Sequence, residues 1–142
     1  MHISTKCSVA IHCLVFIHEY GEQKKVTSEL LSLSTGSNPV TIRNIISALK
    51  KEGILCVKFG TGGATISCPL NEINLYRIYK AIEPDFLSKL IGVHTLPSPL
   101  CPVGKNIHVV LDSSYKKVKE DLYRSLQKIT MEDIIDDYHH LH

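Results

Sequence analysis

Residues 37–70 read SNPVTIRNIISALKKEGILCVKFGTGGATISCPL, and the punctuation of this stretch decides the fold. Asn38 sits where a side-chain oxygen caps a helix start, and Pro39 follows at the first helical position, where a missing N–H costs nothing. Gly53 comes just after Lys50 and Lys51, the residue types that close a helix. Between these signals Ile42, Ile45, Ile46 and Leu49 share one face and are the predicted core side. Val40, Asn44, Ser47 and Lys51 point the opposite way, flanked by Thr41 and Arg43. An exposed face with a short polar and basic set near its N-terminus suits a helix that reads a major groove, and a solvated surface helix looks the same. Next come two β-rich runs, 54–59 and 64–68, joined by Gly60-Thr61-Gly62-Gly63. Those glycines permit positive φ, so a hairpin is predicted. A glycine-rich tip beside Lys58 can approach a phosphate backbone closely. No helix follows the glycines directly, which excludes a dinucleotide-binding loop.

Upstream, residues 5–20 predict a helix with Val9, Ala10, Cys13, Leu14 and Ile17 on one face, ended by Gly21. His12 and His18 fall off that stripe and read as solvated or locally bonded. Thr27 caps a short second helix, with Glu29 in its first turn and Leu30, Leu31 and Leu33 as its apolar positions. Helix, short helix, capped helix and glycine-tipped hairpin, in that order, make a winged helix-turn-helix over residues 1–83, with the wing at about 54–68. The fold class is mainly α with this small β wing.

Asn74 caps a fourth helix lined by Leu75, Ile78 and Ile82 and closed at Glu83-Pro84. Residues 84–106 hold four prolines and read mostly as loop, with DFLSKLIG forming at most a turn or two of helix. From Asn106 to Ile129 runs the longest helical pattern, with Ile107, Leu111, Val118, Leu122 and Leu126 near a heptad seam. So long a helix predicts a twofold seam against a second copy, and residues 107–142 are assigned to dimerisation and a tail. TMED at 130–133 offers a capping box for a last short helix through Asp137. Three histidines in the tail read as surface residues, and no metal site is expected.

With 142 residues, 44% hydrophobic and 21% charged, the chain suits one folded domain with an appended helix or two. No apolar run approaches a membrane span and no leader pattern is present, so a cytoplasmic location and no membrane partner are expected. Net charge is +2, unevenly spread: residues 1–70 carry seven Lys/Arg against four Asp/Glu. A basic N-terminal half fits a nucleic-acid-binding module. Five cysteines form no C-x-x-C pair, and Cys7, Cys13, Cys56 and Cys68 read as core packing.

The order of elements, with Lys51, Gly53 and Ile54 after the third helix, then Gly60, Gly62, Gly63, Ala64, Ile66 and Pro69, then Ile73, Leu75, Ala81, Ile82 and Glu83, resembles the Rrf-two family of bacterial repressors (the IscR, NsrR and CymR type). The resemblance spans nearly the whole chain. It implies a homodimer gripping a palindromic operator in double-stranded DNA, with the long helix as dimer seam. It also implies groove contacts from Val40, Thr41, Arg43 and Asn44; Asn38 at the cap and Ser47 and Lys51 of the same helix are further candidate DNA-binding residues. Wing contacts would come from Lys58, Thr61, Gly62 and Gly63, and phosphate contacts from Thr27 and Ser28. Two departures stand out. Phe59 replaces the arginine that many members carry before the first wing glycine. The loop before the long helix holds Cys101 alone, where cluster-binding members have three cysteines.

One thiolate cannot hold an iron–sulfur cluster that takes four ligands unless His12, His18, His94, His108 or Glu19 contribute. No cofactor is therefore expected. Cys101 stays open between two readings: a thiol switch favoured by a helix N-terminus and Lys105, or a small apolar filler. An oxidant or a small molecule would be the inducer. An enzyme using Cys101 as nucleophile lacks an identifiable base. A winged-helix adaptor that binds protein instead of DNA is the other rival, kept open by the small net charge and Phe59.

Overall fold

The computed structural model describes residues 4–58 and 63–141. Helices α1 (Thr5–Tyr20), α2 (Ser28–Thr35) and α3 (Pro39–Lys51) precede strands β1 (Leu55–Lys58) and β2 (Gly63–Ile66). A 3-10 turn (Leu70–Glu72) leads into α4 (Leu75–Ile82), and α5 (Pro102–Lys128) and α6 (Met131–His139) follow. The caps are those the sequence predicts. Asn38 Oδ1 accepts from Thr41 N–H at 2.8 Å, Thr27 Oγ1 from Leu30 N–H at 3.2 Å, and Asn74 Oδ1 from Arg77 N–H at 2.8 Å. Each satisfies one of the orphan donors at a helix start, a contribution of about 1 kcal/mol.

One core joins the elements: Ala10, Cys13, Leu14 and Ile17 of α1, Leu31 of α2, Ile42, Ile45 and Leu49 of α3, then Ile54, Leu55, Ala64, Ile73 and Ile78. The hairpin is antiparallel, with Leu55 opposite Ile66 and Lys58 opposite Gly63. Ala64 N–H donates to Val26 O at 3.3 Å, which ties the chain before α2 to the base of the wing.

The C-terminal third departs from the sequence expectation in three ways. First, α5 begins at Pro102, not Asn106, so the connection from α4 spans 83–101; 84–90 form hydrogen-bonded turns and no helix. Pro102 at the first helical position supplies the start. Second, the expected last helix, α6, runs past Asp137 and packs into the core. Its Thr130–Asp133 capping box is formed, it runs to His139, and Met131 and Ile135 lie in the same core as α1. Third, the predicted dimer seam is partly covered within the protomer. Leu126 is buried, and Ile107, Leu111 and Leu122 are half-buried, because their stripe of α5 faces α4 and the preceding connection. Tyr123 packs edge-on against Tyr76 of α4 with ring centroids 4.5 Å apart. Only Val118 of the predicted set is exposed, at 49%, together with Val103 and Val110 on the same side of α5.

Candidate nucleic-acid interface

Helix α3 is two-faced. Ile42, Ile45 and Leu49 are at most 2% exposed, whereas Val40, Arg43, Asn44, Ser47 and Lys51 are open to solvent. Thr41 lies half-buried at the boundary. Among the described residues, Arg43, Asn44 and Lys51 make no side-chain hydrogen bond or ion pair. Asn38 spends its carbonyl oxygen on the cap, which leaves its amide N–H groups available. The side chains that could read base edges are thus presented without competing partners.

Beside α3, a cavity of about 240 Å³ separates the start of α2 from the wing. Thr27, Ser28 and Lys58 line it together, so three residues proposed from distant parts of the sequence meet at one place. Thr27 accepts from Leu30 N–H and retains its hydroxyl proton for a phosphate oxygen. Lys58 is exposed at the end of β1. Thr61 and Gly62, like Phe59 and Gly60, lie outside the described residues. Gly63 is placed differently from its expected role. It is buried, and a Cβ there would stand 2.9 Å from Val26 N and 3.0 Å from Val26 O. It holds the wing against the chain before α2 and lines the same cavity as Thr27, Ser28 and Lys58.

Two residues escape a reading based on sequence alone. Lys25 lines the same cavity, signalled only by the Lys-Lys pair just ahead of the Thr27 cap. Arg77 of α4 donates to Glu52 O, the carbonyl capping α3, at 2.9 Å, and to Glu72 O at 3.3 Å. No local pattern marks an arginine whose partners lie 25 positions away.

The cysteines divide into three environments. Cys7 and Cys13 are buried in α1, where desolvation pushes their thiols up to about 11 and about 12; Glu83 adds to the shift of Cys7. Cys56, expected in the core, is exposed because a two-stranded hairpin has one open face, and Cys68 is half-buried beyond the end of β2. Cys101 is exposed at the N-cap of α5, and the backbone N–H groups of Gly104 and then Val103 hold its thiol below the ordinary range. Those N–H groups, and not Lys105, are the cause.

Residues 3–137 match the Rrf2 family, described as iron-dependent transcriptional regulators. The donor set here does not fit an iron–sulfur cluster. Cys101 stands alone in its loop, the buried thiols are held in the protonated form, and no three His, Cys, Asp or Glu side chains converge among the described residues. YwnA of Bacillus subtilis (strain 168), assigned to the HTH-type transcriptional regulators, is 34% identical over 134 residues, covering 94% of this chain and 97% of its own. A solved structure from Lactobacillus plantarum, assigned as a transcriptional regulator, superposes with a TM-score of 0.79 at 28% identity, covering 96% of this chain and 91% of its own. IscR of T. potens shares the fold, with a TM-score of 0.70 at 19% identity over 97% of this chain and 88% of its own. The superposition on the Lactobacillus plantarum structure covers the helices, the hairpin wing and the long C-terminal helix together, since it spans 96% of this chain. This chain belongs to the Rrf2 family of winged helix-turn-helix transcriptional regulators and is not an enzyme.

Proposed function

We propose that the protein is a homodimeric repressor that sets α3 into successive major grooves of a palindromic operator. The observation that carries this reading is the pairing on α3 of unpartnered Arg43 and Asn44 with a wholly buried opposite face. Arginine selects guanine and asparagine adenine through two-point hydrogen bonds, and each such contact discriminates by about 1–3 kcal/mol. Thr27, Ser28, Lys25 and Lys58 around the cavity are suited to phosphates, which supply salt-dependent affinity. Exposed Val103, Val110 and Val118 on a helix of 27 residues, about 40 Å long, support a second copy along α5. The repressor assignment follows the family resemblance. The protein works without an iron–sulfur cluster on this reading, and Cys101 serves as a thiol switch, supported by its exposure and by N–H groups that favour the thiolate.

Fluorescence anisotropy with DNA from the protein's own upstream region tests both parts. Arg43→Ala is expected to relax preference at one position per half-site by about 1–3 kcal/mol; unchanged discrimination between operators refutes the groove assignment. Mild oxidant is expected to release wild type but not Cys101→Ser. Tight binding by both, indifferent to oxidant, removes Cys101 from the mechanism.

A further inference from the structure

We propose that the cavity between α5 and the connection preceding it binds a free amino acid with an apolar side chain. The cavity measures about 260 Å³, and its apolar walls are Ile91 and Val93 of the connection with Leu111 of α5. It falls just under the range of about 300–1,000 Å³ that takes drug-sized ligands, so a small metabolite is the right scale. Asp112 and Lys119 both line it, two helical turns apart. That spacing is about 10 Å along the axis. Seven positions apart, the two residues differ by only about 20° around α5 and so share one side of the helix.

Neither charge is engaged: among the described residues Asp112 and Lys119 have no ion pair or hydrogen bond, whereas Asp85 pairs with Lys89 and Asp121 with Arg124. An ammonium and a carboxylate held apart beside an apolar wall complement a zwitterion. The ligand carboxylate meets Lys119, its ammonium meets Asp112, and its side chain lies on Ile91, Val93 and Leu111.

The wall is built in advance. His108 Nε2 donates to His94 O at 2.7 Å, and the two rings meet edge-on with centroids 5.5 Å apart, which fastens the connection to α5. At 100° per residue, Asp112 lies on nearly the opposite side of α5 from Val110, so a second copy along the Val103–Val110 face leaves the cavity open. Occupancy also bears on DNA. Helix α5 packs on α4 through Tyr123 and Tyr76, and Arg77 of α4 holds the end of α3. This consequence rests on the DNA-binding reading above; the site itself does not.

Calorimetry and thermal melting of the full chain test the site with L-leucine, L-methionine, isocaproate (the acid without the amine) and isoamylamine (the amine without the acid). An apolar amino acid is expected to bind and raise the melting temperature. Isocaproate and isoamylamine should bind at least about tenfold more weakly, as should the amino acids to Lys119→Met and Asp112→Asn, because each loses one charge-assisted contact. Asp112 is exposed and Lys119 half-buried, neither in the core, and circular dichroism checks that the variants are folded. Failure of every apolar amino acid to bind overturns the proposal. So does equal binding of isocaproate, which would make the cavity an anion site, or unchanged affinity in both variants, which would put the ligand elsewhere. Added to the DNA complex, the same amino acid is expected to change operator affinity about tenfold in wild type and not in the variants. If it binds without moving DNA affinity, the regulatory consequence is refuted. If it binds to a protein that takes no DNA, the proposed function fails and the amino-acid site stands.

Discussion

Gly36 and Gly63 make a controlled comparison of two reasons for glycine. Both have positive φ, 75° and 68°. At Gly36, after α2, an added Cβ meets nothing within 4 Å. Gly36→Ala therefore pays only for a left-handed backbone, about 1–2 kcal/mol, less the ~0.5 kcal/mol gained from a stiffer unfolded chain. The net loss is about 1 kcal/mol. At Gly63 the same Cβ would stand 2.9 Å and 3.0 Å from the backbone N and O of Val26 and 3.0 Å from Lys25 Cγ. The lysine carbon can swing aside, but the Val26 backbone cannot, because Val26 O accepts the Ala64 N–H. Relief means moving β2 away from Val26, at the expense of that hydrogen bond (about 1 kcal/mol) and of some packing (about 1 kcal/mol or more).

Gly63→Ala is thus expected to cost about 3 kcal/mol, three times Gly36→Ala. With a urea slope near 2 kcal/mol/M, the midpoints fall by roughly 0.5 M for Gly36→Ala and roughly 1.5 M for Gly63→Ala. The assay is urea unfolding followed by far-ultraviolet circular dichroism at one fixed protomer concentration, since association would shift both midpoints. Equal losses refute the close approach. A Gly63→Ala protein of native stability that has lost operator affinity would restore Gly63 as a DNA contact.

Three further outcomes are expected. Arg77→Met keeps the apolar stem but removes the donors to Glu52 O and Glu72 O; stability should fall by about 1–3 kcal/mol, and operator affinity with it, while sequence preference is retained, as urea unfolding and anisotropy would report. Iodoacetamide below pH 9 should alkylate Cys101 well before Cys7 or Cys13, the order read by peptide mass mapping; the reverse order contradicts the three environments described. Burial raises the folded-state values of Cys7 and Cys13 from 9.0 to about 11 and about 12, so the folded state holds protons there that the unfolded state has lost, and stability should decline as pH rises above about 9; Cys13→Ala should show a shallower alkaline decline in urea midpoint, and an unchanged slope would remove Cys13 as a cause.

The first half of the chain was legible because its elements announce their own ends. Asn38, Pro39 and Gly53 bracket α3, and its apolar face is continuous, so pattern and cap agree. The hairpin alternation also held a signal that composition hid. Leu55 is buried, Cys56 open, Val57 half-buried and Lys58 open, so period two alone places Cys56 on the solvent side. The C-terminal third was harder to read for a physical reason. An apolar residue at helical spacing looks the same whether its own chain or a second chain covers it. Leu111, Leu122 and Leu126 fit a dimer seam by spacing, yet Leu126 is covered by its own chain and Leu111 and Leu122 half so, while Val118 of the same set stays exposed with Val103 and Val110. The start of helix α6 is announced by its Thr130–Asp133 capping box, but its packing is not, because Asp and Glu crowd its sequence and only Met131 and Ile135 enter the core.

The two ends of α3 are held by different means, and the difference says where regulation can enter. Its N-terminus is self-contained: Asn38 caps it from the adjoining chain. Its C-terminus depends on Arg77, a guanidinium from α4. The start of α4 is clipped in turn to the end of α5, since Leu75 N–H donates to Ile129 O at 2.9 Å and Met131 N–H to Ile73 O at 2.8 Å. Backbone hydrogen bonds of this kind transmit displacement more faithfully than side chains that can repack. This clip joins the Tyr123–Tyr76 contact in coupling α5 to α4, and Arg77 carries the link on to the end of α3. The connection between α4 and α5 also reaches α4, since its buried Phe86 packs against Tyr76 and Tyr79. On the proposed function, a ligand or an oxidised thiol at the start of α5 would reach DNA by moving α5 and with it α4, whose Arg77 and core side chain Ile78 both bear on α3.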